Sequence, residues 1–239
     1  MTNTVIHKAE TRGLANHGWL NSRHTFSFAQ YFDPKRIHFG ALRVLNDDIV
    51  QGGMGFGKHP HDNMEIISIP LKGSLEHQDS TGNKEVIQTG EVQIMSAGSG
   101  LYHSEYNHSK SEDVNFLQIW VFPKQKNIQP RYEQKKYDFE SKRDELINVV
   151  APDNKEALWI NQNAWFSMGN ISKGKSLEYS LKKKGNGVYI FLIEGAASAN
   201  NISLEKRDGL GLTNVDKVSF DFNEDSTVLI MEVPMEFEN

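Results

Sequence analysis

Two short pairs of residues, His59-Pro60-His61 and His103-Ser104-Glu105, have the types and spacing of a metal site. In an extended strand, side chains two residues apart point to the same face, so each pair can direct two side chains at one point. Pro60 disfavours the helical region for the residue before it, which favours the extended backbone that His59 needs. Three imidazoles and one carboxylate that converge would bind a divalent transition metal. The pattern therefore predicts a metalloprotein and favours an enzyme.

The chain that must position these pairs has the pattern of β-structure. Short apolar or alternating runs recur at close intervals with Gly, Asn, Asp and Pro between them, which is typical of a β-sandwich or barrel. Residues 79–83 are predicted to form a hairpin tip, and the only helical expectation is a turn or two near residues 140–146. The predicted strands are Ala41–Leu45, Met64–Leu71, Gly90–Met95, Asn115–Phe122, Ala157–Asn161, Gly187–Ile193 and Ser226–Val233.

The chain divides into two predicted domains. Residues 123–138 form a charged connector that is predicted to be poor in strands, and the two halves on either side resemble each other faintly. We therefore predict an N-terminal metal-binding domain over residues 1–135 and a C-terminal domain over residues 136–239. All nine histidines lie between His7 and His108, so only the first domain can bind a metal through imidazole.

Composition excludes several classes of function. The chain has 239 residues, a net charge of -5 and no cysteine, which excludes disulfides and thiolate ligands and fits a cytoplasmic protein. No basic stripe indicates a nucleic-acid partner. Residues 1–19 lack the apolar segment of a signal peptide, and runs such as Val188–Ile193 are too short to cross a bilayer. We expect neither a nucleic-acid nor a membrane partner. We expect the protein to be a monomer.

A resemblance to a known family rests on two longer motifs. The stretch Gly53-x5-His59-x-His61-x3-Glu65, followed by Gly73, resembles the first cupin motif. The stretch Gly90-x7-Gly98-x4-His103-x3-Asn107 resembles the second, with two extra residues between the glycine and the histidine. The amino-acid sequences of five segments are similar to those of the pirin family. They are His-Pro-His-x3-Glu at 59–65, Glu-His-x-Asp-Ser-x-Gly-Asn at 76–83, Met-Ser-Ala-Gly-x-Gly-x2-His-Ser-Glu at 95–105, His24-Thr-Phe-Ser-Phe-Ala-x-Tyr31 and Leu117-Gln-Ile-Trp120.

The resemblance implies an all-β bicupin, in which two β-sandwich barrels pack face to face and only the N-terminal barrel holds a metal. It implies His59, His61, His103 and Glu105 as the ligands. Glu65 occupies the position that ligates the metal in many other cupins. In pirins the glutamate of the second motif, here Glu105, takes that role, so Glu65 is left out of the ligand set.

The chemistry follows in part from the ligand types. Three neutral imidazoles and one carboxylate leave a divalent ion with a net charge of about +1 and with one or two open positions. This set disfavours a structural zinc and suits Fe(II), Mn, Co, Ni or Cu, with Fe(II) as the expected ion. Similarity to the bacterial pirin-like quercetin 2,3-dioxygenases implies a polyphenolic substrate, dioxygen, ring opening with release of carbon monoxide, and Glu105 as both ligand and catalytic base.

Other residues are candidates for the substrate pocket. Gln118 alternates with Leu117 and Ile119, so it faces either the barrel interior or solvent. His77 is a candidate for holding a metal ligand, the alternative being an ordinary polar strand residue. Aromatic residues could contact a flat polyphenol, although most aromatic side chains belong to cores. These are Phe26, Phe28 and Phe56, with Tyr31 and Phe39 beside them.

Two other functions remain open from the sequence. The first is a non-catalytic, pirin-like regulator in which the metal and its redox state control binding to another protein. The second is a cupin with a different activity, such as an isomerase. The four predicted ligands are compatible with both functions and with the dioxygenase.

Overall fold

The computed structural model describes residues 2–237, which fold almost entirely into β-strands. The strands of the first half are β1 (Asn3–His7), β2 (Gly13–Asn16), β3 (Leu20–His24), β4 (Leu42–Val50), β5 (Gly55–His61), β6 (Glu65–Lys72), β7 (Ser74–Asp79), β8 (Lys84–Gln88), β9 (Glu91–Ser96), β10 (Leu101–Asn107), β11 (Val114–Val121) and β12 (Arg131–Lys136). Those of the second half are β13 (Ile147–Ala151), β14 (Leu158–Trp159), β15 (Trp165–Ile171), β16 (Ser176–Ser180), β17 (Asn186–Glu194), β18 (Ala196–Ala199), β19 (Ile202–Glu205), β20 (Gly209–Thr213), β21 (Lys217–Phe222) and β22 (Ser226–Pro234).

Within residues 2–237 the helical structure is one short 3₁₀ turn, Ala9–Thr11. No helix in this range is long and apolar enough to cross a membrane.

The strands form two barrels, each made of a seven-stranded and a four-stranded sheet. In the first barrel the sheet orders are β12-β9-β6-β11-β4-β3-β2 and β5-β10-β7-β8. In the second they are β1-β20-β17-β22-β15-β13-β14 and β16-β21-β18-β19. These findings confirm the predicted all-β architecture of two cupin-type barrels.

The main core lies between the two barrels. On β11 the side chains of Leu117, Ile119 and Val121 face this core, while alternate residues face the interior of the first barrel. The opposing side is formed by residues of the second barrel such as Phe166 and Leu229. Because two seven-stranded sheets bury their apolar faces against each other, the barrels pack face to face, as predicted.

The predicted strands all correspond to observed strands, and β7 and β8 form the predicted hairpin around residues 80–83. Two local expectations were wrong. The connector contains a strand, because β12 pairs with β9 along its full length. Residues 140–146 form turns without a helix.

The N-terminal strand crosses to the second barrel. β1 pairs with β20, so Asn3 lies opposite Thr213 and His7 opposite Gly209. His7 is buried between the barrels, and its Nδ1 lies 2.7 Å from the Tyr189 hydroxyl. The division after residue 135 stays a prediction; its outermost positions, residue 1 and residues 238–239, lie outside the described residues.

Candidate metal centre

The predicted ligands lie on one face of the four-stranded sheet of the first barrel. β10 is the central strand, with β5 on one side and β7 on the other. His103 is opposite His59 of β5 and opposite Asp79 of β7. Glu105, two residues further along, is opposite His77. The period of two therefore places side chains from three strands side by side, with the predicted ligands on β5 and β10 and His77 on β7.

A β-bulge shapes this part of the sheet. The register of β5 against β10 shifts between His103 and Glu105, so Glu105 lies opposite Phe56. At Gly55 a β-carbon would lie 2.3 Å from the carbonyl oxygen of Glu105, which explains why glycine is required there. Bulges re-aim side chains and often lie next to active sites. Here the bulge lies between the two predicted ligands of β10.

Three imidazoles converge. The ring centroids are 4.9 Å apart for His59 and His61, 4.4 Å for His59 and His103, and 4.9 Å for His61 and His103. Their nearest ring nitrogens all lie within 4.8 Å of one another. His103 is buried, yet neither of its ring nitrogens has a hydrogen-bond partner. Buried polar atoms are normally paired, so this orphaned ring fits a metal ligand.

The state of the imidazoles also suits a metal. Burial lowers the pKa of His61 to about 4 and that of His103 to about 3, and the neighbouring imidazoles add to both shifts. Both rings are therefore neutral near pH 7, as metal ligation requires. The Nδ1 atom of His59 lies 2.8 Å from the carbonyl oxygen of Gly57 and can donate to it. That contact leaves the Nε2 lone pair of His59 free for a metal.

Glu105 belongs to a second, overlapping cluster. It groups with His103 and His77, and all three side chains are buried. Ser68 donates from Oγ to Oε1 of Glu105 over 3.0 Å, and Gln118 donates from Nε2 to Oε2 over 2.6 Å. A carboxylate oxygen has two lone pairs, so each can accept one hydrogen bond and still face a metal. The role of Glu105 as a ligand stays a prediction.

The side chain of His77 contacts the predicted metal ligands. Its ring centroid is 5.3 Å from that of His103, and it stacks on Tyr132 at 4.6 Å. Its Nε2 atom lies 3.2 Å from Oδ2 of Asp79. Burial opposes ionisation of Asp79, but hydrogen bonds from Thr81, Asn83 and His77 outweigh it and lower its pKa to about 2. Asp79 is thus a carboxylate that orients His77.

Glu65 lies outside both clusters. Its Oε2 atom accepts hydrogen bonds from Oγ of Ser96 at 2.8 Å and from the backbone N–H of Asn161 at 3.1 Å. Burial raises its pKa to about 7. Because Asn161 belongs to the second half of the chain, Glu65 connects the two barrels, a role that the cupin motif does not reveal.

The predicted substrate-pocket residues separate into two groups. Phe28 and Phe56 line a cavity of about 350 Å³ beside the centre, while Gln118 contacts Glu105 directly. Phe26 does not line this cavity. It is buried in the core between the barrels, with its ring 5.5 Å from that of Tyr189.

Trp120 also contacts the centre and was missed as a candidate. Its ring lies edge-on to His61 at 4.9 Å and to Phe28 at 5.2 Å. It follows Gln118 by two residues on β11, and this spacing was the signal that could have indicated it.

The second barrel offers no comparable cluster within the described residues. Both groups that could bind a metal lie in the first barrel. The interior of the second barrel is filled by apolar side chains, among them Ile190, Leu210 and Phe220.

Comparison with known proteins identifies relatives of both halves. The family model described as Pirin matches residues 6–121, and the model described as Quercetinase C-terminal cupin domain matches residues 148–233. A protein of Escherichia coli strain K12 named quercetin 2,3-dioxygenase is 41% identical over 229 residues, which cover 96% of this chain and 98% of that protein. A pirin-like protein of Caulobacter vibrioides is 36% identical over 222 residues, covering 92% and 95%.

Solved structures agree with this relationship. The crystal structure of YhhW from Escherichia coli superposes with a TM-score of 0.94 at 40% identity, covering 99% of this chain and all of that chain. The structure described as bacterial pirin YhhW in complex with nickel(II) gives a TM-score of 0.92 at 40% identity, with 97% and 99% covered. The similarity therefore extends over both barrels.

Proposed function

The chain belongs to the pirin family, and from that premise we propose that it is a metal-dependent dioxygenase that opens the heterocycle of flavonols such as quercetin. The observation that carries the proposal is the convergence of the imidazoles of His59, His61 and His103 beside the anchored carboxylate of Glu105. Relatives named quercetin 2,3-dioxygenase at about two-fifths identity support the substrate class.

The donor set fits one divalent transition metal. Imidazole nitrogens and one carboxylate oxygen suit Fe(II), which we propose as the ion, and also suit Mn, Co, Ni and Cu. His59, His61, His103 and Glu105 would hold it. A bound ion would supply Lewis acidity toward a substrate hydroxyl, lowering the pKa of that hydroxyl, together with an open position for dioxygen.

The protein's own contribution centres on Glu105. In the proposed reaction its carboxylate accepts the proton of the flavonol 3-hydroxyl, which makes the substrate an electron-rich enolate. Ser68 and Gln118 each donate a hydrogen bond to this carboxylate, so they fix its direction. The contact of the Trp120 ring with His61 limits the movement of that imidazole.

The test begins with elemental analysis of the purified protein, followed by aerobic incubation with quercetin after loading with each of the five ions. We expect loss of the flavonol absorbance together with release of carbon monoxide. His61→Ala should abolish both, and His108→Ala is the matched control because His108 is an exposed histidine outside the centre.

Absence of quercetin consumption with every ion would contradict the proposal. That result would favour the non-catalytic regulator, and binding of a partner protein that depends on the oxidation state of the metal would identify it.

A further inference from the structure

A cavity of about 350 Å³ opens beside the metal centre, between β3, β4 and the loop that follows β3. We call it the side cavity. Its volume falls within the range of about 300–1,000 Å³ that is typical of small-molecule sites. Its lining includes aromatic rings of Trp19, Phe28 and Phe56 and polar side chains of Ser22, His24, Asn46 and Asp48, and we call these four polar side chains its polar wall.

The polar wall follows from strand register. His24 lies opposite Asn46, and Ser22 lies opposite Asp48, so the four residues form two adjacent pairs on one face. Asn46 in turn lies opposite Gln118, which donates to Glu105. Neighbouring strands are about 4.8 Å apart, so the row Gln118–Asn46–His24 extends about 10 Å from the anchor of Glu105 into the side cavity.

Four side-chain atoms of this wall lack hydrogen-bond partners. Ser22, His24, Asn46 and Asp48 are only 2%, 3%, 2% and 4% exposed. The unpaired atoms are Oγ of Ser22, Nδ1 of His24, Oδ1 of Asn46 and Oδ1 of Asp48. Buried polar atoms are almost always paired with protein, water or a ligand. Four unpaired atoms on the wall of one cavity therefore indicate a ligand with several hydrogen-bonding groups.

The chemistry of the wall restricts that ligand. Burial lowers the pKa of His24 to about 4, so its ring is neutral. No lysine or arginine lines the side cavity, which argues against phosphate and carboxylate ligands. The carbonyl oxygen of Asn46 accepts hydrogen bonds, as does one nitrogen of a neutral imidazole. Burial raises the pKa of Asp48 to about 7, and its carboxyl group keeps an oxygen that accepts hydrogen bonds in either protonation state. The wall thus favours a ligand that donates hydrogen bonds, while the aromatic rings of the lining favour a flat ring.

A chain of aromatic contacts connects the wall of the side cavity to the metal centre. The ring of Phe28 lies 5.2 Å from both His24 and Trp120, and Trp120 contacts His61 at 4.9 Å. A flat molecule of two linked rings could therefore place one ring at the metal centre and the other in the side cavity.

We propose that the side cavity binds the hydroxylated pendant ring of the polyphenol substrate, with Asp48 and Asn46 as residues that determine specificity for its hydroxyl groups. This inference rests on the proposed function, because it assigns the second ring of the same substrate.

The experiment compares three flavonols that differ only in the pendant ring: quercetin with two adjacent hydroxyls, kaempferol with one and galangin with none. Each is titrated against the metal-free protein by quenching of tryptophan fluorescence. We expect the Kd to rise in that order, by roughly 3–10-fold for each hydroxyl removed, as for the loss of one net hydrogen bond.

Asp48→Ala and Asn46→Ala should each reduce the preference for quercetin over galangin by a similar factor. Asp113→Ala is the matched control, because Asp113 is exposed and is not among the residues that line the cavity. The preference is a ratio of two Kd values measured on one sample, so partial unfolding of a variant does not change it.

Equal Kd values for the three flavonols in the wild type would overturn the inference, as would no binding at all or an unchanged preference in both variants. Turnover separates this failure from failure of the proposed function. If the Kd values follow the expected order but no metal-loaded form turns over quercetin, the proposed dioxygenase activity is contradicted. If quercetin is turned over but the Kd values show no preference for pendant-ring hydroxyls, only the role of the side cavity is contradicted.

Discussion

Gln118 donates a hydrogen bond of 2.6 Å from Nε2 to Oε2 of Glu105, and both side chains are buried inside the first barrel. Ser68 donates to the other carboxylate oxygen, so both carboxylate oxygens of Glu105 accept a hydrogen bond. Partners of this kind orient metal ligands, and their loss typically weakens metal binding by about 10–100-fold. Glu105 is thus fixed in direction by two residues that lie on two other strands.

We expect Gln118→Ala to weaken metal binding by about 10–100-fold, because the carboxylate of Glu105 loses one of its two anchors. The measurement is a titration of the metal-free protein in competition with a chelator. Gln88→Ala serves as the control, since Gln88 is exposed at the end of β8. If Gln118→Ala bound metal as tightly as the control, Glu105 would not need its anchor or would not be a ligand.

His103→Ala should abolish specific metal binding, because His103 belongs to both clusters of possible ligands. A ligand that binds only the folded protein stabilises it, by about 2.7 kcal/mol at a concentration of 100 times the Kd. Adding the metal should therefore raise the Tm of the wild type and leave that of His103→Ala unchanged. The exposed histidine variant His108→Ala should behave like the wild type. A Tm increase retained in His103→Ala would place the metal elsewhere.

The ligand pairs could be predicted from sequence because their geometry is local. A spacing of two residues in an extended chain fixes the common face of His59 and His61, and likewise of His103 and Glu105. His77 is different. It joins the centre only because β7 is the neighbour of β10, and that pairing is not encoded in either strand alone.

The aromatic residues show why a spacing of two residues does not always place side chains on the same face. Phe26 and Phe28 are two residues apart, yet Phe26 packs between the barrels and Phe28 lines the side cavity. The chain makes a tight turn here: Phe28 pairs with Tyr31, and Ala29 has a φ of 49°. A residue other than glycine in this conformation is uncommon, so the alternation rule gives no guidance there. The crossing of β1 to the second barrel is equally invisible, because its partner β20 lies about two hundred residues away.

The interface between the barrels contains a buried cluster of charge whose disruption should destabilise the fold. Asp47 of β4 lies 3.4 Å from Nη2 of Arg12 and 3.2 Å from Nε of Arg207, which belongs to the second barrel. Nδ2 of Asn115 also donates to Asp47 over 2.8 Å. Removing one partner of a buried ion pair typically costs about 3–5 kcal/mol, because the remaining charge is left uncompensated.

Asp47→Ala should accordingly lower the free energy of unfolding by about 3–5 kcal/mol, since it leaves two arginines without their shared partner. Urea denaturation at neutral pH measures this loss. Asp113→Ala is the control, because it also removes an aspartate carboxylate, but an exposed one. Asp113 lies two residues before Asn115. A loss in Asp47→Ala as small as that of the control would mean that water already compensates the arginines.

Glu65 should make the stability of the protein depend on pH. Burial raises its pKa from the ordinary 4.5 to about 7 in the folded chain. Between these values the folded state keeps a proton that the unfolded state has released, so the free energy of unfolding falls as the pH rises from about 4.5 to 7. Asp48 has its pKa raised to about 7, again chiefly by burial, and contributes in the same direction.

We expect Glu65→Gln to remove the part of this fall that Glu65 causes. At about 1.4 kcal/mol for each pH unit, the wild type should lose on the order of 3 kcal/mol more than the variant across the window. The amide keeps the size of the side chain and one oxygen that can accept from Ser96 and from the backbone of Asn161. Urea denaturation at a series of pH values gives, for each protein, a curve of the free energy of unfolding against pH. Other titrating groups are common to both proteins, so their contributions cancel in the difference between the two curves. Curves that stay parallel from pH 4.5 to 8 would show that Glu65 is ionised throughout, and that the connection between the barrels is a carboxylate.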